Sequence, residues 1–432
     1  MMSLKEKFYR RFNNKFSLTD ALFKETLKYF SYNSLNTFLV ILLRIIELPV
    51  FIYLVGYEKF NEFTILYSIP FILLIFDFGL IAFCERQIRL ISDNNTIKFI
   101  YSNLVVFIFI LISSYLSIIA ILFINNLLDT IFAIVLSFGL FKNLPGIFLL
   151  LDYMQNKSFN KIKFMILIKI FYFFSTITLL LFMNNFKYIF LTLFFLSILI
   201  LLIMYHAYRK KIKIFFNLKK IDLIKFFRQY LVKSSISYLS IFSSIFEYQG
   251  IRTLVAVKFD SITLINIYAI LTVINLPKRI SELISNSLYP LFGSLFRMKS
   301  EKINNFFLIS CLANLFTSTV FVTILFFIVD EIFLIWLNQN IIFSNNFLIV
   351  FLLSTILYSV NISFHHYLTS LNKIINTNLV YSIGTLFLIF IIYLSLYNDD
   401  IELIAYGFFT KEIICIAIYL YLSSKMNAFS TF

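Results

Sequence analysis

The sequence predicts an all-α polytopic membrane protein with about twelve transmembrane helices in two six-helix bundles, both termini cytoplasmic. Three observations carry this. First, 60% of the 432 residues are hydrophobic and only 14% charged, with a mean hydropathy of +0.90, whereas soluble domains are nearer ~45–50% apolar and ~25% charged. Second, apolar runs long enough to span a bilayer, about 20 residues each, recur along the whole chain. Third, the basic residues are confined to alternate loops.

The expected spans are 31–55, 60–84, 99–124, 127–151, 163–184, 186–208, 234–257, 262–290, 303–329, 345–370, 374–396 and 401–424. The fifth and sixth are divided only by the short polar stretch NNFKY at 184–188. The apolar piece IFLIWL at 332–337 is too short to cross and carries the lone tryptophan, Trp336. Tryptophan favours the membrane–water boundary, so this piece is expected to lie there. Residues 1–30 are charged and broken up, without a compact apolar core or a small-residue cleavage site. They read as a basic cytoplasmic segment rather than a cleaved signal.

Orientation follows from the loops. One set holds 27 Lys and Arg residues, nine of them in 209–233. The opposite set holds only Lys59, Lys187 and Lys258, beside Glu58, Asp260, Asp330, Glu331, Asp399 and Asp400. Basic loops stay in the cytoplasm. This asymmetry accounts for most of the +15 net charge, so membrane lipid headgroups are the expected partner of these loops and no nucleic acid is needed. The basic linker 209–233 separates an N-terminal bundle, 31–208, from a C-terminal one, 234–424, with a tail at 425–432. Six helices on each side of one polar interruption suggest parallel repeats about an axis along the membrane normal.

Several motifs tempt and fail. Asp77-Phe78-Gly79 spells a kinase signature inside an apolar run, without the glycine-rich loop that chemistry needs. No Walker A sequence is present. Cys84, Cys311 and Cys415 have no metal-site spacing, and His365 and His366 point about 100° apart on a helix, so no cofactor or metal is expected.

The informative residues are charges inside the spans. Glu62, Asp129 and Glu402 lie within a turn of an outer end, and Lys169 is near enough to the inner end to snorkel. Arg252 is also near an outer end. Arg44 and Glu47 share one face of the first helix, Lys278 and Arg279 precede Glu282 in the eighth, and Lys411 adjoins Glu412 in the twelfth. Lys142, Asp77 and Glu247 lie deep in other spans. Intramembrane charges pair with one another or face a water-filled cavity. Pairs alone would glue helices together. Charges spread over six helices instead point to a central hydrophilic cavity lined by cations, suited to a bulky anionic cargo. Its carboxylates would alternate between those cations and H+ or Na+ as coupling ion. Pro49, Pro70, Pro145, Pro277 and Pro290 mark expected kinks.

At this point the chain resembles the Wzx-type polysaccharide flippases of the multidrug/oligosaccharidyl-lipid/polysaccharide (MOP) exporter superfamily. The likeness lies in the ensemble of twelve helices, cytoplasmic termini and a basic middle loop. It also lies in VGYEKFNEFTILYSIPFILLIFDFGL at 55–80, EYQGIRTLVAVKFDSITLINIYAI at 247–270 and SNSLYPLFGSLF at 285–296. The resemblance implies two six-helix bundles in a MATE-like V. It implies translocation of undecaprenyl-pyrophosphate-linked oligosaccharide repeat units, of O-antigen or capsule, across the bacterial inner membrane, with a polysaccharide polymerase and chain-length regulator as possible partners.

On that reading Arg44, Lys142, Arg252, Lys278, Arg279 and Lys411 are substrate-binding candidates. Glu47, Asp77, Glu247 and Glu282 are coupling or gating candidates. Two other classes stay open. A membrane-embedded polymerase, an enzyme, would need a sizeable external loop with catalytic residues; the longest candidate, 330–344, has no Lys, Arg or His. A MATE-type drug antiporter would carry cationic cargo and favour an acidic cavity.

Overall fold

The computed structural model describes residues 20–73, 79–90, 93–153, 158–183, 185–297, 302–338, 341–371 and 374–425; among them every regular element is helical. The N-terminal half comprises α1 (Asp20–Val55), α2 (Phe60–Ile72), α3 (Leu80–Leu90), α4 (Asn94–Ile124), α5 (Thr130–Asn143), α6 (Pro145–Tyr153), α7 (Ser158–Phe182) and α8 (Phe186–Phe215). The C-terminal half comprises α9 (Leu223–Phe226), α10 (Val232–Ile245), α11 (Ile251–Lys258), α12 (Ser261–Arg297), α13 (Lys302–Leu337), α14 (Asn345–Ser370), α15 (Ile374–Asn398) and α16 (Leu403–Lys425). Among the described residues ten helices are long and apolar enough to cross a membrane.

The remaining two expected spans are interrupted helices. The span 60–84 is divided between α2 and α3, and Gly79 at its restart has φ +68°. That left-handed conformation breaks a helix and suits glycine. The Gly79 Cα also lies against another backbone, since a Cβ there would stand 2.8 Å from the Tyr238 nitrogen. Gly79→Ala therefore combines backbone strain with a backbone clash. It is expected to lower the melting temperature of the purified protein, and an unchanged melt would contradict this contact. The seventh span, 234–257, is α10 and α11 joined by a π-helical turn, Phe246–Gly250.

Other boundaries differ for local reasons. The first described helix already runs from Asp20, inside the expected N-terminal segment, and no proline or glycine interrupts it before Pro49. The expected span 127–151, one of the ten, turns at Leu144, where Pro145 opens α6 after α5 without needing an N–H donor. The split at 184–188 is present, with α7 ending at Phe182 and Asn185 capping α8.

One expectation is overturned. The piece 332–337 is not a separate interfacial segment but the last turns of α13, which runs unbroken to Leu337 and takes Asp330 and Glu331 with it. Trp336 instead reaches the other half of the molecule, donating from Nε1 to the carbonyl of Ile45 at 2.8 Å. That carbonyl lacks its helical partner because the residue four positions on is Pro49, which has no N–H. Trp336→Phe should keep the ring packing and lose about 0.5–1.5 kcal/mol. The loss should shrink in a Pro49→Ala background, where the helix supplies its own donor; equal losses in both backgrounds would refute the pairing.

The core shows how the halves meet. The loops at 56–59, 259–260 and 399–402 mark one end of the molecule, here called the acidic end; the Lys- and Arg-rich loops mark the other, the basic end. Toward the acidic end one apolar cluster joins both halves, from Leu48, Phe51 and Phe63 to Val255, Leu264, Phe347 and Phe408. Polar contacts tie the same region: Asn61 donates to the carbonyls of Ala256 and Phe259 at 3.1 and 2.9 Å, and Ser68 to Gln249 at 3.1 Å. Toward the basic end there are two cores. One gathers Leu80, Ile100, Leu150, Tyr208 and Phe226, the other Phe292, Phe307, Phe364 and Tyr419. Helices within a membrane gain little from burying apolar surface, so close packing decides which faces stay together. The halves share one large core at the acidic end, whereas at the basic end each has its own, joined by local contacts such as Gly79 against Tyr238.

Candidate functional site

The charged residues cluster where the shared core gives way to the two separate ones. Arg44 lies one turn before Leu48 on α1, Lys278 one turn after Ile274 on α12, and Lys411 three residues after Phe408 on α16. The π-turn adds its own contribution. Its extra residue turns Glu247, Tyr248 and Gln249 toward the same place, and such turns often mark functional positions. A cavity of about 230 Å³ results, lined in part by Arg44, Glu247, Tyr248, Lys278, Arg279 and Glu282, with Tyr358 and Tyr381 closing it.

Its carboxylates are engaged. Arg279 Nη1 lies 2.6 Å from Glu282, whose other oxygen accepts from the Tyr358 hydroxyl at 2.7 Å. Lys411, 0% exposed, bridges two carboxylates: Glu247 at 2.6 Å and Glu412 at 3.0 Å. Asn361 donates to the second oxygen of Glu412 at 2.6 Å. A buried ion pair persists only when its remaining lone pairs are also satisfied, and Asn361 and Tyr358 do this.

The cations Arg44 and Lys278 are different. Among the described residues, no carboxylate lies within ion-pair distance of either. Arg44 rests on the Tyr248 ring at 4.9 Å, and Arg279 on the same ring at 5.4 Å. Arg44 Nη1 is buried without a hydrogen-bond partner. Lys278, 3% exposed, sits over Phe408 at 4.8 Å and Tyr358 at 5.2 Å. Ring faces stabilise a desolvated cation by about 2 kcal/mol and leave its N–H donors unused. Unused cationic donors of this kind are chemically suited to an anion.

The other candidates stand beside it. Arg252 stacks on Tyr268 at 3.4 Å, with Nε and Nη2 unpartnered. Lys142 lies within a cage of four rings, 3.7 Å from Phe71 and 5.5, 5.6 and 5.9 Å from Phe138, Tyr172 and Tyr67. Glu47 is charged neighbour to both this lysine and Tyr268. The expected Arg44–Glu47 pair is therefore not formed: Arg44 turns to Tyr248 across the half-to-half boundary. Lys278 likewise does not pair with Glu282, which Arg279 takes. Asp77 falls outside the described residues. Lys169, expected to snorkel, is exposed but lies close enough to Arg44 and Arg279 to feel their charges, so it stands beside the charged cluster. Among the described residues no cluster of His, Cys, Asp and Glu is placed to hold a metal ion.

The aromatic and amide partners, Tyr248, Tyr358, Tyr381 and Asn361, were not singled out by sequence. With 26 tyrosines in the chain, residue type alone selects none of them. Looking beside each deep charge finds Tyr248, which immediately follows Glu247.

No protein-family model and no curated relative matches the sequence. Solved structures do. The chain is similar to a ligand-bound MATE multidrug transporter, DinF-BH, with TM-score 0.66 and 12% identity over 94% of this chain and 96% of that one. It is similar to the lipid II flippase MurJ in an inward closed conformation, with TM-score 0.62 and 16% identity over 91% of this chain and 87% of that one. An inward-facing MATE family transporter of the MOP superfamily aligns with TM-score 0.60 and 10% identity over 92% and 95%. At such identities the likeness concerns architecture, and it extends over nearly the whole length: the chain is a multi-pass, all-helical membrane protein with the fold shared by MATE transporters and MurJ.

Proposed function

We propose that this protein is a flippase that carries undecaprenyl-pyrophosphate-linked oligosaccharide repeat units, of O-antigen or capsule type, from the cytoplasmic to the outer leaflet of a bacterial inner membrane. The carrying observation is the unspent donor set of Arg44 and Lys278 in a cavity whose carboxylates are already engaged. Buried charges without a partner are costly in a membrane protein and mark substrate pathways. Arg44, Lys142, Lys169, Arg252, Lys278, Arg279 and Lys411 stand against Glu47, Glu247, Glu282 and Glu412 among the described residues, a net excess of positive charge. A pyrophosphate diester carries two negative charges and offers oxygens that match guanidinium forks. The likeness to a lipid II flippase supports a lipid-linked cargo.

With the basic loops in the cytoplasm, the two separate cores lie on the cytoplasmic side and the shared core on the outer side, an arrangement suited to loading from inside. Glu47 and Glu247 are the coupling carboxylates, exchanging a cationic neighbour for H+ or Na+ as the cavity empties. A drug antiporter with cationic cargo would need carboxylates free to receive it, and here Glu247, Glu282 and Glu412 are held by Lys411 and Arg279.

The test is deletion of the gene, with analysis of surface glycan and of lipid-linked intermediates. The expected result is a surface lacking even one repeat unit, with complete lipid-linked units held on the cytoplasmic leaflet. Single repeat units on the outside would show that flipping proceeds without the protein and would favour the polymerase.

A further inference from the structure

The linker between the halves is not a loose tether. α8 stays helical to Phe215, Asn217 caps a single 3-10 turn at Leu218–Lys220, and Asp222 caps α9. Two fully buried side chains of α4 hold it in place. Ser102 accepts from the Asn217 N–H at 2.8 Å. Asn103 donates to the Lys220 carbonyl at 3.0 Å and accepts from the Asp222 N–H at 2.8 Å. Lys219, Lys220 and Lys225 consequently leave a fixed backbone, all exposed.

They surround a second cavity, of about 500 Å³, whose other walls include Asn95, Thr96 and Tyr230. The Tyr230 ring stacks on buried Phe226 at 5.3 Å, giving the cavity an aromatic floor. Its acidic neighbours serve as helix caps, and Asp93 also lies near enough to Lys220 to offset part of its charge. Asp93 accepts from the Asn95 and Thr96 N–H groups and from the Thr96 hydroxyl, and Asp222 accepts from the Lys225 N–H. The same strip exposes apolar side chains to its surroundings, Leu218 at 71% and Ile224 at 76%. Alternating lysines and bare aliphatic residues on a rigid strip suit the boundary where lipid phosphates meet acyl chains.

We propose that this linker cavity binds the headgroup of an anionic phospholipid, its phosphate held by Lys219, Lys220 and Lys225 and its acyl chains passing Leu218 and Ile224. A soluble phosphate would use the lysines alone; the exposed aliphatic pair selects the lipid. Because the strip joins the two halves while fixed to one of them, the bound lipid sits where their relative position is set. The site is independent of the cargo of the central cavity.

The experiment follows thermal unfolding of the purified full-length protein in detergent. Dioctanoyl phosphatidylglycerol, dioctanoyl phosphatidylcholine and inorganic phosphate are titrated in parallel. The anionic lipid should stabilise the protein well below the concentrations at which the other two act. The K219Q/K220Q/K225Q variant should need roughly tenfold to hundredfold more of it, from an unshifted unliganded melt. The L218S/I224S variant, which keeps every lysine, should also respond more weakly to the lipid. An unchanged response in both variants would place the lipid elsewhere. Equal stabilisation by inorganic phosphate would make the ligand a soluble anion, and equal stabilisation by phosphatidylcholine would remove charge recognition; either overturns the proposal.

Discussion

Replacing Lys411 with methionine should destabilise the protein more than any other single change in the charged cluster. The side chain is fully buried and neutralises two carboxylates at once, Glu247 at 2.6 Å and Glu412 at 3.0 Å. Methionine fills a similar volume but leaves both carboxylates buried without a counter-charge. Breaking a buried pair from one side costs about 3–5 kcal/mol, whereas neutral replacement of a whole cluster is often close to neutral. The K411M variant should therefore melt far below the parent in the same detergent, and K411M/E247Q/E412Q should recover most of the difference. Asn361 still donates to the residue at 412 in that triple variant, since a glutamine oxygen accepts as a carboxylate oxygen does. A parent-like melt for K411M would mean that the bridge does not contribute to stability.

Arg44→Gln should act on transport and not on folding. Among the described residues its guanidinium makes no ion pair to lose, so its removal strands none of their carboxylates, and one buried unpartnered nitrogen disappears. If Arg44 binds the pyrophosphate, each lost charge-assisted contact weakens cargo binding by about 1.5–3 kcal/mol, roughly tenfold to hundredfold. Surface polysaccharide should fall by at least that range at matched protein levels in the membrane. Joint neutralisation of Lys278 and Arg279 should abolish export. Lys258→Gln is the control. Its bridge to Asp399 at 2.8 Å is solvent-exposed on both sides, and such pairs contribute about 0–1 kcal/mol. Export by Arg44→Gln equal to that of Lys258→Gln would refute the proposed role of the cavity.

The sequence made the transmembrane architecture readable because a bilayer imposes one length and one polarity on every spanning segment. It made the deep charges readable because each is costly where it stands. It did not disclose which charges meet. Arg44 and Glu47 share a helix face three residues apart, yet Arg44 finds Tyr248, which lies 204 positions on in the chain. Lys278 and Arg279 share the same turn before Glu282, and a one-residue difference in position decides for Arg279. The bridge from Lys411 to Glu247 joins two helices that nothing in their local pattern connects. The π-turn at 246–250 was also hidden. Its departure from the helical period is one residue, too small to disturb an apolar run, although it aims Glu247 and Tyr248 into the cavity. The partner of Trp336 was hidden for a related reason: interfacial preference is a property of the residue, while the carbonyl that accepts from it was freed by a proline in the other half.

The single core at the acidic end bears on biosynthesis. Its members run from Leu48 to Phe408, so it cannot close until nearly the entire chain has left the ribosome. At roughly 5–20 residues per second, the first helices wait for tens of seconds, whereas the core around Leu80 and Phe226 can assemble about halfway through synthesis. In water, an unpaired apolar face exposed for so long would invite aggregation. Within the bilayer it is already in a compatible solvent, and the halves can mature in turn and seal last at the end farthest from the basic linker.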